Sequence, residues 1–194
     1  MRPDDEADPD SPTTPSGHVV AVARAETHAF SKPTRRVIRL LEGLGVEGDA
    51  HAGTTVQHLS RKRDHPSEPN LRQVHLLASE LFDDVRGAGH DVTPGALGEN
   101  VTTAGVDLLG LPLGTVLELG SEAAVELTGL RNPCRQIQAF QPGLLQQVLG
   151  RGADGSVRRR AGVMSVVRRT GDVRPGDPVR VLLPPGPHRP LRVV

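Results

Sequence analysis

Short apolar segments, separated by glycine and proline, set the strongest limit on how this chain can fold. Glycine and proline account for 22 and 17 of its 194 residues, and both residue types interrupt long helices. The clearest pair of segments, 115–119 and 123–128, is joined by Gly120, Ser121 and Glu122 and predicts a β-hairpin. This spacing favours a fold made of many short strands.

Other segments fit the same picture. Further strands are predicted where apolar residues alternate or cluster, at 18–24, 36–41, 73–77, 101–103, 162–168 and 178–183. Short helices are predicted over 78–87, with Ser79 as the N-cap, over 135–141 and again at 144–149. We therefore expect a mainly β fold with a few short helices, of the α+β type, with a sheet curved into a barrel.

The expected organisation is one domain over residues 18–183. Residues 1–17 are acidic and rich in proline and are expected to be disordered. Residues 54–70 form a polar insertion that follows a glycine-rich loop at 43–53. The proline-rich residues 184–194 are expected to run extended over the surface.

Composition excludes several classes of function. The 23 basic and 23 acidic residues balance, and the chain has three Phe but no Trp or Tyr, which argues against nucleic-acid binding. No apolar run is long enough for a membrane span and the N-terminus has no signal-peptide pattern, so a cytoplasmic protein without membrane contact is expected. A single cysteine excludes an internal disulfide and a multi-cysteine metal site.

That cysteine, Cys134, follows a predicted strand and is the residue best suited to carry chemistry. Its thiolate is a soft metal ligand and a strong nucleophile, although a lone cysteine also serves as a small buried apolar residue. A zinc site with His51 and His75, or a hydrolase pairing of the thiol with either histidine, is conceivable, and the sequence leaves both open.

Two other patterns are ambiguous. His51, His58 and His65 recur every seven residues, but glycine and proline between and after them make a helix there improbable. Asp49 and His51 bring a carboxylate and an imidazole to the glycine-rich loop, where Asp49 also suits ordinary turn chemistry. No glycine-rich phosphate-binding motif is present.

Several segments together resemble the MOSC domain, the family named for the C-terminal domain of molybdenum cofactor sulfurases. The resemblance runs from about residue 17 to residue 183 and includes Gly48-Asp49-Ala50-His51, Gly98-Glu99-Asn100 and Asn132-Pro133-Cys134. The matching segments, in chain order, are 28–32, 45–53, 72–77, 94–102, 128–134 and 162–166.

The resemblance implies a barrel-like fold in which the cysteine either ligates molybdenum in a pterin cofactor or carries a persulfide. Cys134 would then be the metal or sulfur ligand, and Asp49 and His51 would face the open coordination position. The expected cofactor-binding residues are Arg131, Asn132, Glu99, Asn100, Thr102, Lys32, Arg72 and Gln73.

Three functions follow from that resemblance. The first is a molybdenum-dependent oxidoreductase that reduces N-hydroxylated compounds with electrons from a donor protein. The second is a sulfurtransferase-type carrier that receives persulfide sulfur on Cys134 from a separate pyridoxal-phosphate cysteine desulfurase. The third is a cofactor-binding module without turnover. With only Lys32 and Lys62 as lysines, a covalent pyridoxal phosphate in this chain is not expected.

Overall fold

The computed structural model describes residues 16–57, 59–152 and 155–194. Strand residues outnumber helix residues in the described part of the chain, and seven strands close a β-barrel, which confirms the predicted mainly β fold. Residues 1–15 of the predicted N-terminal tail lie outside the described residues.

Thirteen short strands and four short helices occupy the described residues. The strands are β1 (Gly17–Ala23), β2 (Thr34–Arg35), β3 (Ile38–Leu41), β4 (Gly45–Val46), β5 (Val74–Ala78), β6 (Val101–Ala104), β7 (Val116–Leu119), β8 (Ala123–Leu130), β9 (Leu149–Arg151), β10 (Val157–Arg159), β11 (Val163–Arg169), β12 (Gly171–Val173) and β13 (Pro178–Leu182). The helices are α1 (Leu59–Asp64), α2 (Glu80–Gly87), α3 (Arg135–Phe140) and α4 (Leu144–Val148).

The barrel follows the strand order β13-β7-β8-β11-β5-β6-β1 and closes where β1 pairs with β13. Strands β5 and β6 are parallel, and the other neighbouring pairs of the barrel are antiparallel. Register shifts in β1 and β11 mark bulges, which bend strands and help a sheet to close. Strands β3, β4 and β12 form a small second sheet, and β9 and β10 form a separate hairpin.

Two apolar clusters hold these elements together. One fills the barrel, and the other packs α2, α3 and α4 against its outer wall. Strand β5 serves both clusters because successive side chains point to opposite faces: Val74 and Leu76 belong to the barrel cluster, whereas Leu77 belongs to the outer one. His75 therefore points to the outer face.

The hairpin of 115–119 and 123–128 is confirmed as β7 and β8. Ser79 precedes α2, but its side chain makes no capping hydrogen bond and its backbone is already helical. The insertion contains the six-residue helix α1, where glycine and proline predicted none. His51 and His65 lie outside this helix, and His58 lies outside the described residues.

The C-terminal segment is bonded to the barrel. Leu113 N–H donates to the Arg189 carbonyl at 2.8 Å, Leu130 N–H donates to the Arg192 carbonyl at 2.7 Å, and Leu191 is buried. The segment thereby brings Val194 beside the outer wall. Within the described part of the chain, no helix has the length and apolar character needed to cross a membrane.

Candidate functional site

A cavity of about 420 Å³ opens on the outer wall of the barrel, a volume typical of small-molecule sites. Segments far apart in the chain form its walls: the loop before β2, the loop after β4, the insertion, β5, the turn before β6 and the turn between β8 and α3. The predicted residues that line it are Lys32, His51, Arg72, Asn100, Arg131, Asn132 and Cys134.

Cys134 lies on the cavity wall directly before α3, with an extended backbone. Its side chain is partly exposed, and its thiol donates a hydrogen bond to Oε1 of Gln136 at 3.4 Å. The thiol is therefore accessible from the cavity and is not a buried core residue.

Arg131 contributes a positive charge three residues before the cysteine. Its Nη1 atom is shielded from solvent and has no hydrogen-bond partner within the described structure. Burial lowers the pKa of the guanidinium, while the nearby Cys134 and Glu99 side chains counteract that effect. An unpaired buried donor of this kind is costly unless a ligand satisfies it.

Lys32 and Asp49 form an ion pair at the base of the cavity. Lys32 Nζ lies 2.8 Å from Asp49 Oδ2, and the two side chains are 4% and 1% exposed. Burial lowers the pKa of Lys32, and Asp49 opposes that shift. Burial alone would raise the pKa of Asp49, but hydrogen bonds from His51 and the charge of Lys32 hold it well below its ordinary value.

Asp49 also fixes the orientation of His51. Its Oδ1 atom accepts the His51 backbone N–H at 2.9 Å and lies 3.1 Å from the ring Nδ1. Asp49 is ionised and can only accept hydrogen bonds, so Nδ1 of His51 carries the hydrogen in this contact. Nε2 is the ring nitrogen that remains for contacts with other groups. The other carboxylate oxygen accepts hydrogen bonds from Ala25 N–H at 3.2 Å and from Asn100 Nδ2 at 3.0 Å.

His75 lines the cavity as a neutral imidazole. Its Nε2 donates to the Ala161 carbonyl at 2.8 Å, and burial, with the charge of Arg131, lowers its pKa to about 3. Gly162 makes room for the ring: its φ is +93°, and a Cβ atom there would lie 2.8 Å from His75 Nε2 and 2.2 Å from the Leu76 carbonyl oxygen.

The zinc and hydrolase alternatives find no support in this geometry. Among the described residues, no group of three or more His, Cys, Asp or Glu side chains could hold a metal ion. The hydrogen bonds of the two imidazole rings described above are also made to groups other than the thiol. His75 bonds the Ala161 carbonyl, and His51 bonds the Asp49 carboxylate. The structure therefore does not assemble a zinc site from His51, His75 and Cys134.

Three predicted cofactor contacts lie behind the cavity wall. Glu99 is fully buried and accepts the backbone N–H of Gly95 at 2.6 Å and the Thr102 hydroxyl at 3.3 Å. Burial raises the pKa of Glu99. Gln73 uses its amide to link the Gly43 carbonyl, at 2.8 Å, to the Val167 N–H, at 2.9 Å. Glu99, Thr102 and Gln73 do not line the cavity but support the loops and strands that do.

Two further contacts join side chains in or beside the cavity. Arg72, a predicted site residue, donates a hydrogen bond to the Val194 carbonyl, and both residues line the cavity. His28 packs edge-on against His51, with ring centroids 5.1 Å apart. The cavity residues that sequence reasoning missed include Phe30, Gln57, Glu68, Asn70, Met164 and Val194. No sequence signal marks most of them, since the insertion and the C-terminal segment reach the cavity only through the closed fold.

Chemically, the cavity combines a thiol, an oriented imidazole and a net positive lining. Lys32, Arg72 and Arg131 face it together with one carboxylate, that of Glu68. Such an arrangement suits an anionic ligand, a soft metal at the sulfur and a proton transfer at His51.

Comparisons with known proteins give matches to both the sequence and the fold of this chain. A family model described as the MOSC domain matches residues 49–180. The solved structure of the YuaD protein from Bacillus subtilis is 25% identical, covers 85% of this chain and 94% of its own, and has a TM-score of 0.69.

Two more distant structures share the fold. YiiM from Geobacillus stearothermophilus is 19% identical, with a TM-score of 0.55 over 84% of this chain and 73% of its own. YiiM from Escherichia coli is also 19% identical, with a TM-score of 0.54 over 88% of this chain and 72% of its own. A search of curated proteins gave no match.

Proposed function

Because the chain belongs to the MOSC domain family, we propose that it binds a molybdenum–pterin cofactor in the cavity and reduces N-hydroxylated compounds. The family is associated with that cofactor. In this proposal Cys134 is the protein's ligand to the metal. The cavity belongs to a cytoplasmic protein that obtains its electrons from a separate donor.

The unpaired Nη1 of Arg131, close to the accessible thiol, is the observation that carries the proposal. A buried guanidinium nitrogen that has no hydrogen-bond partner among the described residues favours an anionic ligand at this position. The cofactor offers both complements, a phosphate for the arginine and a soft metal for the sulfur. The cavity residues therefore fit the group.

Different residues of the cavity would hold different parts of the cofactor. Arg131 and Arg72 are suited to the phosphate, and Asn132 and Asn100 offer amide groups to the pterin. Lys32 is paired with the ionised Asp49, so the pair has no net charge and helps to form the cavity base. When bound, the cofactor supplies oxygen-atom transfer chemistry.

In this proposal His51, oriented by Asp49, transfers the proton that the reaction requires. The Asp49 carboxylate holds Nδ1–H, so His51 presents Nε2 as the atom that accepts or donates a proton. Reduction of a hydroxylamine releases its oxygen as water and requires protons at that oxygen. The His51 side chain is 28% exposed, so the imidazole can exchange protons with solvent between turnovers.

A sulfur carrier is the second candidate. The same partly exposed thiol, with one weak acceptor at Gln136, could receive persulfide sulfur from a cysteine desulfurase. The positive lining would favour the anionic persulfide. A binding module without turnover would use the cavity alone.

The deciding experiment compares the purified wild type with Cys134→Ala and with Gln136→Ala as the matched control, which removes the acceptor and keeps the thiol. Molybdenum is measured by mass spectrometry of the metal, pterin by fluorescence after oxidation, and turnover with an N-hydroxylated base and a chemical reductant. The proposal expects metal and turnover in the wild type and the control, and their loss in Cys134→Ala.

Other outcomes select the alternatives. If neither metal nor pterin is bound and Cys134 gains the mass of one sulfur after incubation with a desulfurase, the carrier replaces the enzyme. Pterin that is retained without turnover in every protein indicates the binding module.

A further inference from the structure

The polar insertion is fastened beside the loop that carries His51. Its two ends run next to each other, since Val56 N–H donates a hydrogen bond to the Glu68 carbonyl at 2.9 Å. Both ends also reach the cavity, where Gln57 and Asn70 form part of the lining together with His51. The insertion is therefore in a position to act on the imidazole that the proposed function uses.

Asn70, the last residue of the insertion, fixes the backbone of the His51 loop. It is 5% exposed, and its Nδ2 donates hydrogen bonds to the His51 carbonyl at 2.9 Å and to the Gly53 carbonyl at 3.0 Å. Its Oδ1 accepts the Arg72 backbone N–H at 3.1 Å. Both polar atoms of this buried amide are thus bonded, and a satisfied polar network of this kind holds its members rigidly.

His28 acts on the ring of His51. Its Nε2 lies 3.1 Å from the Gln57 carbonyl oxygen, and because a carbonyl can only accept, Nε2 carries the hydrogen in this contact. The rings of His28 and His51 have centroids 5.1 Å apart and an interplanar angle of 62°, an edge-to-face arrangement that aromatic rings favour. Gln57 thereby anchors His28, and His28 packs against His51.

The contacts restrain His51 at three different places. Asp49 bonds the ring Nδ1 and the backbone N–H, Asn70 bonds the backbone carbonyl, and His28 packs against the ring. Nε2 of His51 is the ring nitrogen that the proposed reaction uses. A group that transfers a proton must stay within hydrogen-bond reach of its partner, so a small displacement of this ring lowers the rate.

We propose that His28, anchored by the insertion through Gln57, is a positioning residue that keeps Nδ1 of His51 on Asp49 and Nε2 available to the cavity. His28 acts through His51 and transfers no proton itself. The inference rests on the proposed function for the use of Nε2 in catalysis. The contacts that carry it belong to the protein chain alone, so the positioning is measurable without any cofactor.

The test compares the wild type with His28→Ala, His28→Phe and His188→Ala. Phenylalanine keeps an aromatic ring against His51 but loses the hydrogen bond to Gln57. His188 is the matched control, because it is an exposed histidine whose Nε2 lies 3.0 Å from the Pro184 carbonyl oxygen. It is also not one of the residues that line the cavity.

Nitrogen-15 NMR of the cofactor-free proteins measures the share of His51 rings with the hydrogen on Nδ1. It is recorded at about pH 8, where an ordinary histidine is neutral, and a His51→Gln protein identifies the His51 signals. We expect this share to be highest in the wild type and in His188→Ala, and to fall about twofold in His28→Ala as the ring leaves Asp49. His28→Phe should lie between these values.

Turnover with an N-hydroxylated base and a chemical reductant gives a second readout. In His28→Ala we expect kcat to fall about tenfold while KM changes less than about twofold, because the residue positions a proton-transfer group and does not contact the substrate. His28→Phe should recover part of kcat, and His188→Ala should match the wild type. Melting temperatures should stay close to the wild-type value, since His28 is exposed.

The inference is overturned if His28→Ala keeps the wild-type share of Nδ1-bound hydrogen, if His28→Phe does not exceed His28→Ala, or if His188→Ala shows the same loss. A drop in melting temperature with an unchanged NMR signal would also overturn it, because His28 would then be only structural. Absence of turnover in the wild type would reject the proposed function, and the NMR comparison would still decide whether His28 positions His51.

Discussion

Lys32 and Asp49 meet in a nearly solvent-free ion pair, with Nζ and Oδ2 2.8 Å apart. This pair joins the loop before β2 to the loop after β4, and Asp49 extends it to His51 and Asn100. The cavity base is therefore one connected polar network, in which loss of a single member leaves a buried charge or donor unpaired.

Asp49→Asn should destabilise the protein by about 3–5 kcal/mol, because the Lys32 ammonium would be left buried without a counterion. Urea unfolding followed by circular dichroism measures the change. Asp172→Asn is the control, since Asp172 pairs with Arg39 and Arg174 at a side-chain exposure of 30% and should cost less than about 1 kcal/mol. Equal losses in the two variants would contradict a special role for the buried pair.

Mild acid should destabilise the protein through His75. Burial lowers the pKa of His75 from 6.5 to about 3, so between these values the unfolded chain binds a proton that the folded chain does not. Above pH 6.5 the neutral His75 leaves the free energy of unfolding at its full value. As the pH falls from 6.5 toward 3, this free energy decreases by up to about 1.4 kcal/mol per pH unit.

His75→Gln tests this origin, because glutamine keeps an amide donor near the Ala161 carbonyl and does not titrate. Free energies of unfolding at pH 7 and pH 5 should differ less in the variant than in the wild type. A variant that keeps the full difference would assign the acid sensitivity to other groups.

Gly162→Ala should be markedly more destabilising than Gly176→Ala. The two glycines have φ values of +93° and +91°, so both substitutions carry a similar backbone penalty. Only at Gly162 would the new Cβ approach a carbonyl oxygen and the His75 ring, whereas Gly176 faces open space. The difference should be about 1–3 kcal/mol, the range for overpacking. Thermal unfolding of both variants measures it, and equal melting temperatures would rule out the close contact.

The sequence predicted the parts of this fold that depend on local pattern. The β7–β8 hairpin is confirmed because its turn residues and alternation act within a dozen residues. The sequence did not predict the five shortest strands, because a segment of two or three residues is too short to show an alternation of apolar and polar side chains. These strands are β2, β4, β9, β10 and β12. Helix α1 in the insertion was missed because glycine and proline flank it without entering it.

The site was predictable only where residue chemistry was distinctive. Cys134 and the Asp49–His51 pair reach the cavity wall or base as their types suggested. Gln73 and Thr102 have equally polar side chains, but hydrogen bonds to Gly43, Val167 and Glu99 occupy them behind the wall. Which face a strand residue takes depends on barrel closure, a long-range property that a local pattern does not contain.

Arg131→Gln should lower the amount of pterin that copurifies with the protein by about tenfold or more, since a hydrogen bond to a charged group contributes about 1.5–3 kcal/mol. Arg135→Gln is the matched control, because it removes an exposed arginine next to Cys134 that does not line the cavity. Oxidised-pterin fluorescence per mole of protein is the measurement. Because Nη1 of Arg131 has no hydrogen-bond partner among the described residues, the substitution should leave the unfolding free energy nearly unchanged while ligand is lost. A large drop in stability with unchanged pterin would instead make Arg131 a structural residue and remove the main support for an anion site.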